Sequence, residues 1–139
     1  MTIPMWVLLA FAAWTLAILM ASVGVYRWSQ IFTGRAAISG WRADGRDGAD
    51  WYQRAMRAHM NCVENLPVFG AIVVVMFVTG VSGPAFDRLA IIFLVARIGQ
   101  SLVHISVPQT EPVAALRFSL FSVQIACMLA MGVMTALGA

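Results

Sequence analysis

Residues 3–26 read IPMWVLLAFAAWTLAILMASVGVY, 24 residues without one charged side chain. That exceeds the roughly 20 apolar residues an α-helix needs to cross a hydrocarbon layer about 30 Å thick. A cleavable secretory leader would carry a basic region ahead of a shorter apolar run. Here the first basic residue is Arg27, so the segment reads as a retained helix.

The rest of the chain follows from that helix. Hydrophobic residues make up 61% of the 139 residues and charged ones 11%, against about 25% in a soluble domain. A single domain of this length cannot hide so much apolar surface in its own interior, so lipid must cover the remainder. Beyond Ser29 the sequence turns polar as far as Asp50, with Gly34, Gly40, Gly45 and Gly48 among Arg35, Arg42, Asp44, Arg46 and Asp47. This reads as a solvated connection. A second helix is expected from about Trp51, polar at first and apolar from Leu66 to Val81. Gly80, Ser82, Gly83 and Pro84 should break it. A third helix is expected from about Phe86 to Ser106, a break at Pro108–Pro112, and a fourth helix from Val113 to Leu137. The expected fold is therefore all-α: one integral membrane domain, residues 1–139, built as a four-helix transmembrane bundle. Trp6, Trp28, Trp41 and Trp51 fall near segment ends, as interfacial anchors do.

All nine basic residues are arginine, and six of them (Arg27, Arg35, Arg42, Arg46, Arg54 and Arg57) lie in or beside the first connection. Arg117 belongs to the same end, and only Arg88 lies at the other. The positive-inside rule then makes residues 29–50 cytoplasmic and sends both termini outward. Arginine without lysine, with much Ala and Gly, suggests a GC-rich bacterial genome, hence a bacterial inner membrane with periplasmic termini. The arginines border or interrupt apolar segments instead of forming a soluble basic face, so no nucleic-acid partner is expected. Cys62 and Cys127 have neither CxxC nor histidine spacing. His59 and His104 lack supporting ligands, so no metal site is expected.

The chemistry lies in polar residues inside apolar helices, where each charge costs roughly 2.5–3.5 kcal/mol and needs a partner or a water-filled cavity. Arg54, Arg57, Asn61, Glu64 and Asn65 recur at helical spacing on one stripe of the second helix. The third helix carries Arg97, Gln100, Ser101 and His104, the fourth Arg117 and Gln124, and the first ends with Arg27. Counted by helical rise, Glu64 and Arg97 reach similar depths, and a buried ion pair between them is expected. Mutual neutralisation explains that pair, but not the whole set. Five arginines (Arg27, Arg54, Arg57, Arg97 and Arg117) against one glutamate suit an anionic ligand with more than one carboxylate, which the guanidinium fork grips in pairs. Pro67 lies inside the second helix and should kink it or admit a water beside the Val63 carbonyl.

The run Arg54-Ala-Met-Arg57-Ala-His-Met-Asn61-Cys-Val-Glu64-Asn65-Leu-Pro67-Val-Phe69 resembles a signature of the membrane-associated proteins in eicosanoid and glutathione metabolism, the MAPEG superfamily. Tyr26-Arg27, Ala96-Arg97-Ile98 and Leu116-Arg117-Phe118 agree with it, so the resemblance covers nearly the whole chain. It implies a homotrimer that binds glutathione between subunits near the cytoplasmic side. The activity it implies is that of a glutathione transferase or peroxidase acting on hydrophobic electrophiles or lipid hydroperoxides. By position, Arg27, Arg54, Arg57 and Arg97 would hold the tripeptide's carboxylates, Asn61 its backbone and Glu64 its amine, with His104 beside them. Arg117 would face the sulfur as the catalytic residue. The sequence departs from many members at His104, where they carry tyrosine, and at Gln100, where they carry histidine. The longer Ser106–Pro112 break could also shift Arg117. These departures leave open a non-catalytic structural or accessory membrane subunit.

Overall fold

A computed structural model describes residues 1–41 and 48–138. Arg42, Asp44, Gly45, Arg46 and Asp47, expected in the solvated connection, lie outside the described residues. Four helices, each long and apolar enough to cross a membrane, dominate: α1 (Ile3–Phe32), α2 (Asp50–Thr79), α3 (Pro84–Ser106) and α4 (Glu111–Gly138). No strand occurs among the described residues. The four-residue links 80–83 and 107–110 leave α2, α3 and α4 running as antiparallel neighbours. Both termini therefore lie at one end of the bundle. The long link and the α3–α4 turn lie at the other.

Three boundaries differ from those read in the sequence, each for a local reason. Helix α1 continues through Ser29 to Phe32 because nothing breaks it before Gly34, which has φ 68°. The Gly34 N–H bonds the Ile31 carbonyl at 3.0 Å and the Arg35 N–H bonds that of Gln30 at 2.9 Å. This paired pattern closes a helix on a left-handed glycine. Helices α3 and α4 start two residues earlier than expected, at Pro84 and Glu111, because Pro84 and Pro112 lie in first turns. There a missing N–H costs nothing and a fixed φ favours the helix. Pro67 lies inside α2, which continues through it as one helix.

The core is centred on three phenylalanines with no exposure, Phe11 of α1, Phe69 of α2 and Phe93 of α3. Phe69 and Phe93 stack with ring centroids 4.2 Å apart, and Phe11 meets Phe93 edge-on at 5.3 Å. Such geometries suit the ring quadrupole. Cys127, Met128 and Met131 close the core from α4. The outward faces remain apolar: Val78, Val95 and Leu129 are all exposed. A face of that kind is stable against lipid, not water.

Residues Leu19–Gly24 of α1 form a π-helical turn. The buried positions of α1 step 4, 7, 11, 15 and 18, then skip to 23. The wider turn thus re-registers the end of the helix, so that Val23 packs with Tyr52, Ala55 and Met56 of α2.

Candidate functional site

Helices α2 and α4 run the same way, and each changes from polar to apolar along the seam between them. On α2 the seam is marked by Asn61 and Glu64, then Val68 and Ile72, at steps of three and four. Arg57 precedes Asn61 by one turn and is exposed. On α4 it is marked by Ala114, Arg117, Phe118 and Phe121, then Ile125, Met128, Leu129 and Gly132. The polar half, closed behind by Gln100 of α3, forms a cavity of about 300 Å3. The apolar half forms another of about 400 Å3 further along the same seam. The two hollows follow one groove along the seam, with a charged head at the long-link end and an apolar tail on the outer faces of α2 and α4. A smaller cavity of about 220 Å3 at the opposite end carries a single ionisable side chain, Asp87.

Three of the expected site residues, Asn61, Glu64 and Arg117, share that groove head. Arg117 makes one long hydrogen bond, from Nη1 to Gln109 Oε1 at 3.5 Å, and among the described residues its Nε has no partner. Its fork is therefore largely free. Glu64 is exposed on the single chain, although it lies well inside a membrane-spanning helix.

Arg97 lies elsewhere. The ion pair expected between Glu64 and Arg97 does not form, because counting depth along the helices ignored direction around them. Arg97 sits on the core face of α3, only 1% exposed, and its Nη1 bonds Gln100 Oε1 at 3.0 Å. Its guanidinium lies over the Phe11 ring, 5.9 Å from the centroid. Nε and Nη2 have no partner among the described residues. The core face of α2 is taken by Cys62, two residues before Glu64, by Asn65, one after it, and by Phe69. Glu64 is exposed and makes no ion pair with Arg97.

Arg54 joins α2 to the end of α3: its Nε bonds the Ile105 carbonyl at 3.2 Å, and it pairs with Asp50 one turn earlier. His104 is buried in the same region, with neither ring nitrogen partnered among the described residues. Arg27 lies across α2 from the groove. Its Nε bonds the Tyr52 hydroxyl at 2.6 Å, and its guanidinium lies 5.4 Å from the Trp41 ring centroid. Tyr26 stacks on Tyr52 at 4.5 Å, and its hydroxyl accepts the Ala49 N–H at 3.0 Å. This aromatic group pins the start of α2 to the end of α1.

Sequence reasoning gave no role to two contributors, although Gln100 stood among the polar residues of the third helix. Gln100 lines the groove and bonds both Arg97 and the Arg117 carbonyl. Its signal was its place one turn after Arg97. Tyr52 orders Arg27, and only its nearness to Arg54 in sequence hinted at that. Among the described residues no group of three or more His, Cys, Asp or Glu gathers to hold a metal.

A protein-family model described as the MAPEG family matches residues 4–137 of the chain. No curated protein and no solved structure matches it.

Proposed function

The chain belongs to the MAPEG family, and from that premise we propose that it binds glutathione in the α2–α4 groove and presents the thiolate to apolar substrates. The observation that carries this reading is the groove's gradient, from Asn61, Glu64 and Arg117 at its head, with Arg57 one turn before Asn61, to Ile72, Met128 and Gly132 in its tail. A tripeptide with two carboxylates and an amine suits the head. A hydrophobic electrophile or lipid hydroperoxide suits the tail.

A thiol with pKa near about 8.5 is only about 3% ionised at pH 7, and the thiolate is the nucleophile. Arg117 stabilises that anion without a readily lost proton. Lowering the thiol by two units would raise the thiolate to about three-quarters, a roughly 25-fold gain. The sulfur then bonds the electrophilic carbon as the leaving group departs with the bonding pair. With a hydroperoxide it attacks the terminal oxygen and releases the alcohol after protonation. A second glutathione converts the resulting sulfenic acid to the disulfide and water.

Arg57 and Glu64 are exposed charges on a membrane-spanning helix, and Arg27 lies across α2 from Arg117. One ligand could meet all of them only if neighbouring copies close the groove, which favours the homotrimer. Arg54, Arg97 and His104 then shape the site from behind. The long-link end is cytoplasmic in this reading, the termini are periplasmic, and the membrane is a bacterial inner membrane.

The test separates binding from chemistry. Arg57→Ala should weaken glutathione binding by roughly 2–4 kcal/mol, the loss of a partner to a buried carboxylate. Arg117→Ala should leave binding near pH 6 within a few-fold while suppressing thiolate absorbance and turnover at neutral pH. Equal loss of binding in both variants, with thiolate surviving in the Arg117 variant, would favour the second reading, a non-catalytic accessory subunit. His104 supports that second reading, since it is turned inward where many family members carry a tyrosine.

A further inference from the structure

Gln100 is the centre of a buried chain of side chains that ends at Arg117. Its Oε1 accepts from Arg97 Nη1 at 3.0 Å and from Gln124 Nε2 at 3.2 Å. Its Nε2 donates to the Arg117 backbone carbonyl at 3.0 Å. The two ends of an amide are assigned from their partners, and here the partners permit one assignment only. A guanidinium is a donor and a backbone carbonyl an acceptor. Turning the Gln100 amide over would set NH2 against the Arg97 N–H and oxygen against the Arg117 carbonyl. Gln124 is held the same way: its Nε2 also donates to the Leu120 carbonyl at 2.9 Å, so its turned-over form would face two acceptors with oxygen.

Among the described residues, the side-chain hydrogen bonds that join α3 to α4 both run through Gln100. Arg117 lies seven residues beyond the four-residue link, 107–110, that joins these helices. We propose that Gln124 and Gln100 are positioning residues that set the height of Arg117 against the head of the groove. The inference rests on the glutathione reading for what Arg117 does there. It concerns only how that residue is held. Gln100 lines the groove and could touch a ligand, whereas Gln124 has no exposure and lies outside the groove lining, so Gln124 is the cleaner probe.

The experiment titrates glutathione thiolate absorbance against pH in the detergent-purified full chain. It compares the wild type with Gln124→Met, Gln100→Glu, Arg117→Ala and the Gln124→Met/Arg117→Ala double variant. Glutamate at 100 keeps the acceptor for Arg97 and Gln124 but, when ionised, cannot donate to the Arg117 carbonyl. Gln124→Met and Gln100→Glu should each raise the midpoint of thiolate formation by about one pH unit, which lowers the thiolate fraction at pH 7 from about three-quarters to about one-quarter, a roughly threefold loss. Gln124→Met should add nothing once Arg117 is gone. Unmoved midpoints in both glutamine variants would overturn the positioning role and leave the glutathione reading standing. A further shift in the double variant would also overturn it, because Gln124 would then act independently of Arg117. If the wild type binds no glutathione, the parent reading fails, and hydrogen exchange of amides 111–118 decides the rest. Faster exchange there in Gln124→Met than in the wild type supports the clamp, and equal exchange sinks it.

Discussion

Replacing Arg97 with methionine should leave the protein as stable as before or make it more stable, although Arg97 is the largest fully buried side chain. The reasoning is a local balance. Arg97 contributes one hydrogen bond to a neutral amide, worth about 1.5–3 kcal/mol for a charged donor. Against this stands the cost of taking a guanidinium out of water, several kcal/mol even after relaxation. A paired carboxylate would offset that cost, but Glu64 makes no ion pair with Arg97, and two of the Arg97 nitrogens lack partners among the described residues. Truncation also leaves no new orphan. Gln100 Oε1 keeps its bond from Gln124 at 3.2 Å, and the Ser101 hydroxyl bonds the Arg97 carbonyl, which methionine also has. Methionine is unbranched and adaptable, so it can fill the space beside Phe11. The expected change is between zero and about 4 kcal/mol of added stability, as when buried ions give way to apolar residues. Equilibrium unfolding of the purified protein in mixed micelles measures it. A loss of more than about 2 kcal/mol would refute the reasoning and mean that Arg97 has an ionic partner in the folded assembly.

Phe69→Ala should destabilise the bundle by about 3–5 kcal/mol, because it removes a ring stacked on Phe93 and edge-on to Phe11; the same unfolding assay reads it, and a loss under about 1 kcal/mol would contradict the packing. Tyr52→Phe should cost about 1.5–3 kcal/mol by removing the hydroxyl that accepts from Arg27, with the ring stack on Tyr26 retained; an unchanged unfolding curve would show that bond to be idle. A cysteine placed in 40–48 should be shielded from an impermeant thiol label added to intact cells, while one placed after Leu137 is labelled. The reverse pattern would overturn the orientation read from the arginines.

The membrane fold was legible because its signals are long and redundant. Apolar runs separated by Gly and Pro allow few other readings, and local chemistry moved only the ends, as at Gly34, Pro84 and Pro112. The groove was legible in part. The steps from Arg57 to Asn61 to Glu64 define a stripe on α2, and α4 brings Arg117 to the same groove as Asn61 and Glu64. The direction of Arg97 was not legible. Depth along a helix follows from residue count, but the facing of one helix against another depends on packing around Phe11, Phe69 and Phe93. The same limit hid the role of Gln100, whose amide is oriented by Arg97 one turn before it but reaches partners 17 and 24 residues away in sequence. The π turn in α1 left no mark in composition, yet it sets where Val23 packs and hence where Arg27 follows.

Glutathione is proposed to bind in the groove and to ionise there. Calorimetry of the detergent-purified wild type with glutathione, followed by ultraviolet absorbance of the same complex at neutral pH, tests it most directly. The expected result is saturable binding and a thiolate band that disappears on acidification. Binding without the band would leave only the accessory-subunit reading, and no binding at all would contradict the claim.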